Sequence, residues 1–299
     1  MAKTVLRTHN LSKSFGRVSA VSEVNLQVNE GVVFGFLGPN GAGKTTTIGM
    51  TLGLIHPTAG EVEIFGQGVT PGHTKPLRRV GSLMGRPALL PYLSGRDNLH
   101  LLAQLYVRVD AGRVDSVLEQ VGLTFAARRK VKTYSTGMKQ RLGLAAAILH
   151  QPSLIILDEP TNGLDPAGMR EVRNLIGSLA EKGTTVFLSS HLLHEVEQVC
   201  DQIAVINQGR IVAQGSVDDL LRQQEPVIRI RVSSPDRAKQ ALLSLSGITG
   251  IESNGAYVEV KGVSSERIVA YLAGQNMPPS EVIEKKSDLE GLFLGLTQS

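Results

Sequence analysis

Short, nearly continuous apolar runs recur along the first two thirds of the chain. They include Val32–Leu37, Leu154–Leu157 and Thr185–Leu188. Runs of this length predict strands that are buried on both faces, as in a parallel sheet covered by helices. Glu61–Phe65 alternates charged and apolar positions instead. This alternation predicts a strand with one face toward solvent.

Between about residues 86 and 150, the spacing of apolar positions changes to that of helices. One stripe contains Leu99, Leu102, Ala103 and Tyr106, and a second contains Val114, Val117, Leu118 and Val121. Gly122 follows the second stripe as a stop signal. We interpret residues 86–150 as a helical insertion within an α/β domain that spans residues 1–224.

The pattern from residue 225 to residue 299 predicts a second, smaller α+β domain. The predicted strands are Val227–Val232, Ala256–Lys261 and Glu281–Lys285, the predicted helices are Pro235–Leu245 and Ser265–Ala273, and residues 247–252 leave room for a further strand. A last helix is predicted to start at Ser287, because Glu290 three residues later completes a capping box. We expect structural support from this domain, with regulation, dimerisation or partner docking as the alternatives.

Composition narrows the choice of function classes. Aromatic residues make up 4% of the 299 residues and tryptophan is absent, which disfavours an RNA binder built on stacked aromatic side chains. The formal net charge is +4. A mildly basic chain suits nucleotide phosphates or an anionic membrane surface, and ordinary solubility charge explains it equally well.

Three features favour a cytoplasmic chain. The longest apolar stretch, Leu142–Leu149, is less than half of the roughly 20 residues that span a bilayer. The first residues have no apolar signal core. The single cysteine, Cys200, fits a reducing compartment.

Residues 38–45 match the phosphate-binding pattern G-x-x-x-x-G-K-[ST] in full, between a predicted buried strand and a helical stretch. Glycine at positions 41 and 43 lets the backbone N–H groups wrap around phosphates. Lys44 is placed to reach the β- and γ-phosphates, and the Thr45 hydroxyl is a suitable Mg²⁺ ligand. The predicted phosphate-binding residues are Gly38, Pro39, Asn40, Gly41, Ala42, Gly43, Lys44, Thr45 and Thr46.

Two acidic residues, Asp158 and Glu159, follow the buried run Leu154–Leu157. Asp158 is predicted to hold Mg²⁺ through its water shell. Glu159 is predicted to orient or deprotonate the water that attacks the γ-phosphate. Together with Lys44 and Thr45, these residues predict Mg²⁺-dependent nucleotide hydrolysis.

Three further segments occur in a fixed order: Tyr134–Arg141 (YSTGMKQR), Asn162–Pro166 (NGLDP) and Ser189–His191 (SSH). They resemble the signature, the D-loop and the switch-histidine loop of the ATP-binding subunits of ABC transporters. Phe15 matches the aromatic residue that stacks on adenine in that family. The resemblance covers about residues 4–224 and implies a P-loop ABC ATPase core.

The resemblance implies ATP and Mg²⁺ as cofactors and a head-to-tail homodimer with two ATP molecules at its interface. Each ATP would lie between the phosphate loop of one subunit and the signature residues Ser135 and Gly137 of the other. Ser135 is placed to cap the helix that follows it. His191 would act with Glu159 in catalysis. Hydrolysis would weaken the dimer, because ADP lacks the γ-phosphate.

The chain departs from the family pattern at two places. Tyr134, Thr136 and Met138 replace the usual residues of the signature LSGGQ. Thr136 stands where the family has glycine, and a β-branched residue rarely takes a positive φ. The Q-loop glutamine falls at Gly85, which has no side chain to bind Mg²⁺ or sense the γ-phosphate. We therefore expect altered coordination there, with water or Arg86 in place of the amide.

Residues 53–62, 89–99 and 289–297 resemble the drug-export and antibiotic-immunity branch of the family. This branch pairs with a separate polytopic membrane permease, which we expect to contact the helical insertion. The resemblance implies an ATPase peripheral on the inner face of the cell membrane that powers export of a drug, antibiotic or lipid-like substrate, with no nucleic-acid partner. The alternative is a soluble ABC ATPase acting on ribosomes or DNA. Such proteins carry tandem ATPase units or long coiled coils, whereas this chain has one phosphate loop and no sustained heptads.

Overall fold

The computed structural model describes residues 3–106, 109–110, 112–222, 226–285 and 288–297. The chain forms two compact units, Met1–Val217 and Asp218–Ser299. The sequence places this boundary at residues 224 and 225, and residues 223–225 lie outside the described ranges. None of the described helices is both long enough and apolar enough to cross a membrane.

The first unit alternates strands and helices along the chain. Its strands are β1 (Thr4–Phe15), β2 (Val18–Val24), β3 (Gln27–Asn29), β4 (Val33–Leu37), β5 (Ala59–Ile64), β6 (Gln67–Gly68), β7 (Val80–Leu83), β8 (Leu154–Asp158), β9 (Thr185–Ser190), β10 (Gln202–Asn207) and β11 (Arg210–Ser216). Its helices are α1 (Lys44–Thr51), α2 (Gly95–Ala103), α3 (Arg113–Gln120), α4 (Thr136–Ile148), α5 (Pro166–Glu181) and α6 (Leu193–Glu197). A further helix, α7 (Val217–Arg222), starts at the boundary between the units.

The central sheet has the strand order β11-β10-β4-β9-β8-β7 among the described residues. All neighbours in it are parallel except the β10–β11 pair. Strands β4, β8 and β9 are buried along their whole length, as their apolar runs predict. The rings of Phe34 and Phe187 stack with centroids 5.6 Å apart in its core. This order brings the carboxyl ends of β4, β9 and β8 side by side.

A second sheet has the order β2-β1-β5-β6, with β3 paired to β1. Along β5 the side chains alternate, since Glu61 is exposed while Val62 and Ile64 are buried. The alternation predicted from the sequence is therefore present in the structure. The sheet joins the apolar core that also contains Phe34, so its inner face is covered.

The insertion between residues 86 and 150 is helical, as predicted, and contains α2, α3 and α4 together with short 3₁₀ turns at Thr124–Ala126 and Val131–Thr133. Leu99, Val117, Leu118 and Leu142 are buried within it. Helix α4 also packs against β7 of the central sheet. The insertion is thereby attached to the strand that precedes it.

The second unit contains β12 (Val227–Arg231), α8 (Pro235–Leu242), β13 (Gly250–Asn254), β14 (Tyr257–Lys261), α9 (Ser265–Gly274), β15 (Glu281–Lys285) and α10 (Leu289–Thr297). The strands form an antiparallel sheet of order β13-β14-β12-β15. Side chains of α8 and α9 cover one face of this sheet, where Ile228, Ile230, Val258 and Val260 are buried. The α+β pattern matches the expectation, and the extra strand begins three residues later than the gap at 247–252.

Helix α10 begins differently from the sequence prediction. Ser287, the predicted cap, lies outside the described residues. Oδ1 of Asp288 instead accepts a hydrogen bond from the amide of Gly291 at 2.8 Å. Asp288 is as good a capping residue as Ser287, and the sequence pattern did not separate the two positions. Leu289 on this helix is buried.

A candidate nucleotide-binding and hydrolysis site

The phosphate loop connects β4 to α1 at the carboxyl end of the central sheet, and close backbone contacts fix its shape. A Cβ atom on Gly38 would collide with the carbonyl oxygen of Ile206. Gly43 has φ +108°, and a Cβ there would lie 2.6 Å from the carbonyl oxygen of Ala20. Both positions therefore require glycine. The loop's shape is set by strands that lie far away in sequence.

Lys44 is the first residue of α1 and its side chain is 6% exposed. Its Nζ donates hydrogen bonds to the carbonyl oxygens of Gly38 (2.7 Å) and Pro39 (3.2 Å). The same nitrogen lies 3.3 Å from Oε1 of Glu159. The ammonium group is thus held inside the loop, at the end of the helix where the backbone dipole favours anions.

Asp158 and Thr45 meet at the end of β8. The Thr45 hydroxyl donates to Oδ2 of Asp158 at 3.0 Å, and the Ser189 hydroxyl donates to Oδ1 at 2.7 Å. The Ser189 oxygen also accepts the amide of Glu159 at 3.0 Å. Asp158 is 5% exposed, so these hydrogen bonds satisfy a carboxylate that burial would otherwise disfavour. The Thr45 hydroxyl and the Asp158 carboxylate thus lie next to each other at the end of β8.

Glu159 projects from a strained position of the backbone. Its φ is +50°, in the left-handed region that non-glycine residues rarely adopt. Its Oε2 lies 2.8 Å from Nδ1 of His191, while Oε1 faces Lys44. Strained residues of this kind occur preferentially at functional sites. This backbone conformation accompanies a carboxylate that lies between Lys44 and His191, which belong to other parts of the chain.

Lys44, Thr45, Glu159 and His191 line one cleft of about 350 Å³, and Asp158 lies behind it, bonded to Thr45. This volume falls within the range of small-molecule sites, about 300–1,000 Å³. The lining residues are Ala20, Asn40, Gly41, Gly43, Lys44, Thr45, Thr46, Glu159, Asn162 and His191. Of the other predicted phosphate-loop residues, Gly38 and Pro39 bind Lys44 through their carbonyl groups, and Ala42 is buried. The structure thus brings both halves of the predicted site together.

Phe15 ends β1, on the hairpin whose other strand carries Ala20 of the cleft. Its ring is 52% exposed, and Nζ of Lys13 lies 5.0 Å from the ring centroid. An exposed aromatic face suits stacking on a base. Its proposed contact with adenine stays a prediction.

Sequence reasoning did not assign a role to three residues that the structure places here. Ser189 fixes both Asp158 and the backbone of Glu159, and Asn162 and Ala20 line the cleft. Ser189 and Asn162 stand inside recognised motifs, which is a signal that could have found them. Ala20 has no such signal, because its strand packs beside the loop only in the folded chain.

Comparison with known proteins places the chain in a family. A family model described as "ABC transporter" matches residues 21–162. Over 292 residues the chain is 42% identical to the bacitracin transport ATP-binding protein BcrA of Enterococcus faecalis, covering 97% of this chain and 95% of that protein. The chain belongs to the ABC transporter ATP-binding family.

Two further similarities agree with this family. The chain is 40% identical over 296 residues to the ABC transporter ATP-binding protein YhcH of Bacillus subtilis, covering 99% of this chain and 96% of that protein. A dimeric, post-hydrolysis ATP-binding cassette bound to ADP and phosphate has a TM-score of 0.65 and 27% identity, covering 71% of this chain and 98% of that one.

The chain is accordingly an ATP-binding and ATP-hydrolysing subunit of an ABC transporter. The predicted α/β P-loop ABC ATPase fold is confirmed. The resemblance to the drug-export and antibiotic-resistance branch is confirmed as well. The alternative of a soluble ATPase acting on ribosomes or DNA gains no support.

The family signature lies at the start of α4, and Ser135, Thr136 and Gly137 are not among the residues that line the cleft. Ser135 is the N-cap, and its Oγ accepts a hydrogen bond from the amide of Met138 at 3.2 Å, as the sequence predicts. Ser135 and Thr136 are exposed, and Gly137 is half-buried beside Leu164. Thr136 is the first helical residue and its φ is not positive, so its β-branched side chain is accommodated.

Tyr134, the first residue of the signature segment, has a structural role. Tyr134 is buried, and its hydroxyl donates to the carbonyl oxygen of Ala126 at 2.7 Å. A Cβ atom on Gly95, the first residue of α2, would collide with this hydroxyl oxygen. Tyr134 therefore ties the signature segment to α2 and to the turn that contains Ala126. A leucine at this position has no hydroxyl to form that hydrogen bond.

The Q-loop position, Gly85, follows β7 and is exposed. Its φ is +55°, and a Cβ atom there would meet no heavy atom of the structure within 4 Å. A longer side chain therefore has space but would carry backbone strain. Arg86 is also exposed. That Arg86 or water acts in place of the family glutamine stays a prediction.

Proposed function

We propose that two copies of this chain pair around two ATP molecules and thereby drive a separate membrane permease that exports an antibiotic or a similar drug. The observation that carries the proposal is the division of the site. The cleft is lined by phosphate-loop residues and Glu159, whereas Ser135 and Thr136 are exposed at the start of α4 and do not line it. In the proposed dimer, the signature residues of a second copy face this cleft. Support for the cargo class comes from BcrA, whose name describes bacitracin transport.

The start of α4 has the properties of an anion-binding surface. The first amides of a helix and its dipole together attract negative charge. Ser135 caps the helix and fixes its first turn through the Met138 amide. When this end of α4 meets the cleft of the other copy, it contacts the γ-phosphate. Loss of that phosphate then weakens the dimer.

Thr45 and Asp158 fit a magnesium ion. Both offer hard oxygen atoms, which Mg²⁺ prefers, and these oxygens lie 3.0 Å apart. Oδ2 of Asp158 accepts the Thr45 hydroxyl and Oδ1 accepts the Ser189 hydroxyl, which leaves a further lone pair on Oδ2 for the ion. Bound Mg²⁺ supplies charge neutralisation of the phosphates. Asp158 and Thr45 position it, and Gly85 contributes no side chain.

In the proposed hydrolysis, Glu159 accepts a proton from the attacking water. The water oxygen bonds to the γ-phosphorus, the bond from that phosphorus to the ADP oxygen breaks, and ADP leaves with inorganic phosphate. Phosphates draw Lys44 away from Glu159 and so free Oε1 for the water. His191 keeps hold of Oε2, which is 2.8 Å from Nδ1. His191 is thus a positioning residue for the base.

The helical insertion offers a surface for the permease. Leu90, Tyr92, Leu101 and Leu105 expose 48%, 73%, 45% and 76% of their surface, in α2 and in the segments on either side of it. All four lie between residues 90 and 105, and a contiguous patch of exposed apolar side chains marks an interaction site. A cytoplasmic segment of the permease that binds here holds the chain at the inner face of the cell membrane. The proposal includes no nucleic-acid partner.

Affinity purification of the Glu159→Gln chain from detergent-solubilised membranes, with ATP present, tests the permease. We expect a polytopic membrane protein in near-equal amount. The same chain carrying Tyr92→Asp and Leu105→Asp should lose this protein, whereas a control with Leu243→Asp, exposed in the second unit, should retain it. Recovery of ribosomes or DNA-bound factors instead would contradict the proposal.

Sedimentation of the purified Glu159→Gln chain tests the ATP-dependent pairing. The variant should bind ATP without hydrolysing it, and added ATP should raise its dimer fraction above that of the nucleotide-free chain. Ser135→Arg in the same chain should remove this ATP-dependent increase while leaving ATP binding by the chain's own phosphate loop intact. Monomers with saturating ATP would count against the mechanism.

A further inference from the structure

Strand β15 is an exposed edge of the sheet in the second unit. It pairs with β12 in an unbroken antiparallel register from Glu281 to Lys285. All five of its residues are exposed, and Val282 and Ile283 leave 38% and 41% of their surface in solvent. The outer side of an edge strand presents backbone groups that can pair with another strand. Strand β15 has no proline, and its residues Val282 and Ile283 are apolar. Its charged residues, Glu281, Glu284 and Lys285, oppose pairing with a strand whose charges do not complement them.

The charges of β15 complement themselves in an antiparallel arrangement. When Ile283 lies opposite the same residue of a second copy, Glu281 of each strand faces Lys285 of the other. Opposite charges across a strand pair favour pairing, and like charges oppose it. Because hydrogen-bonded and non-hydrogen-bonded positions alternate along a strand, the neighbouring registers differ by two residues. A shift in one direction puts Glu284 opposite the same residue of the second copy, and a shift in the other direction puts Val282 opposite itself and leaves no charged pair within β15. The centred register is therefore the favoured one.

Strand β13, at the opposite edge of the sheet, is a poorer partner for β15 of a second copy. Strand β13 carries one charged residue, Glu252, followed by exposed Ser253 and Asn254. An antiparallel register that places Glu252 opposite Lys285 gives one favourable charge pair and puts Glu284 opposite Ser253, whereas the centred pair of two β15 strands gives two favourable charge pairs. Edge-to-opposite-edge pairing would also continue from copy to copy as an open fibre, whereas pairing through one edge about a two-fold axis closes.

We propose that β15 strands of two copies pair antiparallel about Ile283 and join the two second units in one continuous sheet. This contact uses no nucleotide, so it is separate from the ATP-dependent pairing proposed above and survives failure of that proposal. A five-residue strand pair is small compared with a stable interface, about 1,200–2,000 Å². The contact is therefore a weak tether that keeps two copies together between rounds of ATP binding.

Disulfide trapping on the full chain, in buffer with EDTA and no nucleotide, tests the register. Opposed Cα atoms in an antiparallel pair lie about 4.5–5.5 Å apart, within the range of a disulfide. The Ile283→Cys chain should become mainly a linked dimer on mild oxidation. The unsubstituted chain should stay unlinked, because Cys200 is buried. A Ser253→Cys control on β13 should stay unlinked as well. A folded Ile283→Cys chain that fails to link, or equal linking through Ser253→Cys, would overturn the proposal.

Charge exchange in the Ile283→Cys chain tests the partner's identity. Lys285→Glu alone and Glu281→Lys alone each place like charges opposite one another at both ends of the pair. Each should slow linking by about fivefold or more. The double variant restores opposite charges and should restore linking, although it still lacks the hydrogen bond from Tyr257 to Glu281. A double variant that links as slowly as the single ones, with its circular dichroism unchanged, would show that self-complementary charges do not hold the strands.

Discussion

The ammonium nitrogen of Lys44 lies 3.3 Å from Oε1 of Glu159, and the two side chains are only 6% and 18% exposed. The cation of the phosphate loop and the carboxylate proposed as the catalytic base thus neutralise each other. Phosphates entering the cleft compete with Glu159 for Lys44. Nucleotide binding and release of the base are therefore coupled through one ion pair.

Lys44→Ala should abolish measurable ATP binding. The substitution removes the buried cation that faces the phosphates and leaves Glu159 without its 3.3 Å partner. Isothermal titration with ATP should show an affinity at least about 100-fold weaker, since charge-assisted contacts contribute about 1.5–3 kcal/mol each. Lys182→Ala, which removes an exposed lysine after α5, should bind ATP normally. Unchanged affinity in Lys44→Ala would refute the phosphate-loop assignment.

Gly85→Gln should raise Mg²⁺-dependent ATP turnover, because it returns the amide that the family resemblance implies at this position. The structure offers open space for the side chain but a φ of +55°. We expect a cost in stability of about 1 kcal/mol from the backbone. Gly85→Ala carries the same backbone strain without the amide and is the matched control. Equal turnover in the two variants would mean that another group already performs the role.

Gly95→Ala should destabilise the chain by about 1–3 kcal/mol, as overpacked cores do. The added methyl group collides with the hydroxyl of buried Tyr134. Tyr134→Leu removes the obstacle and the hydrogen bond to Ala126, and that loss alone should cost about 1 kcal/mol or more. The double variant should therefore lose less unfolding free energy than the sum of the losses in the two single variants. Urea unfolding of the four chains gives the comparison, and strict additivity would contradict the contact.

Stability should fall as the pH is lowered through the range in which histidine titrates. Burial lowers the pKa of His150, and nearby Arg113 adds to the lowering. The imidazole stacks on Tyr106 with ring centroids 4.1 Å apart. The pKa of His150 is therefore lower in the folded chain than in the unfolded chain, where it is about 6.5. As the pH falls, the unfolded chain binds the proton first. The contribution of His150 is complete above that value and is lost as the pH falls toward the folded pKa.

Thermal unfolding at about pH 7.5 and about pH 5.5 measures this dependence. His150→Phe keeps an aromatic ring against Tyr106 and should lose less stability between the two pH values than the unsubstituted chain. His73→Phe, at an exposed position, should retain the full loss. An identical pH dependence in the His150 variant would show that this ring is not responsible.

Local patterns were enough to predict strands β4, β5, β8 and β9 of the first unit and the phosphate loop, whereas β1, β2, β7, β10 and β11 were not predicted. Continuous apolar runs mark strands buried on both faces, and β4, β8 and β9 are buried throughout. The loop is recognised from the spacing G-x-x-x-x-G-K-[ST], and Gly41 and Gly43 within it have positive φ values. Both patterns are read from residues that are neighbours in sequence, so the sequence by itself determined the fold class and the residue types of the site.

Only the tertiary structure decided how the site is connected. The order β4-β9-β8 pairs Leu37 with Ser190 and Asp158 with Ser189, which brings the ends of three distant strands together. That order creates the hydrogen bond from Ser189 to Asp158 and the pairing of Lys44 with Glu159. Such contacts join residues 31 or more positions apart, and no local spacing encodes them. The apolar sheet core determines which strands become neighbours, and those neighbours determine which polar side chains meet.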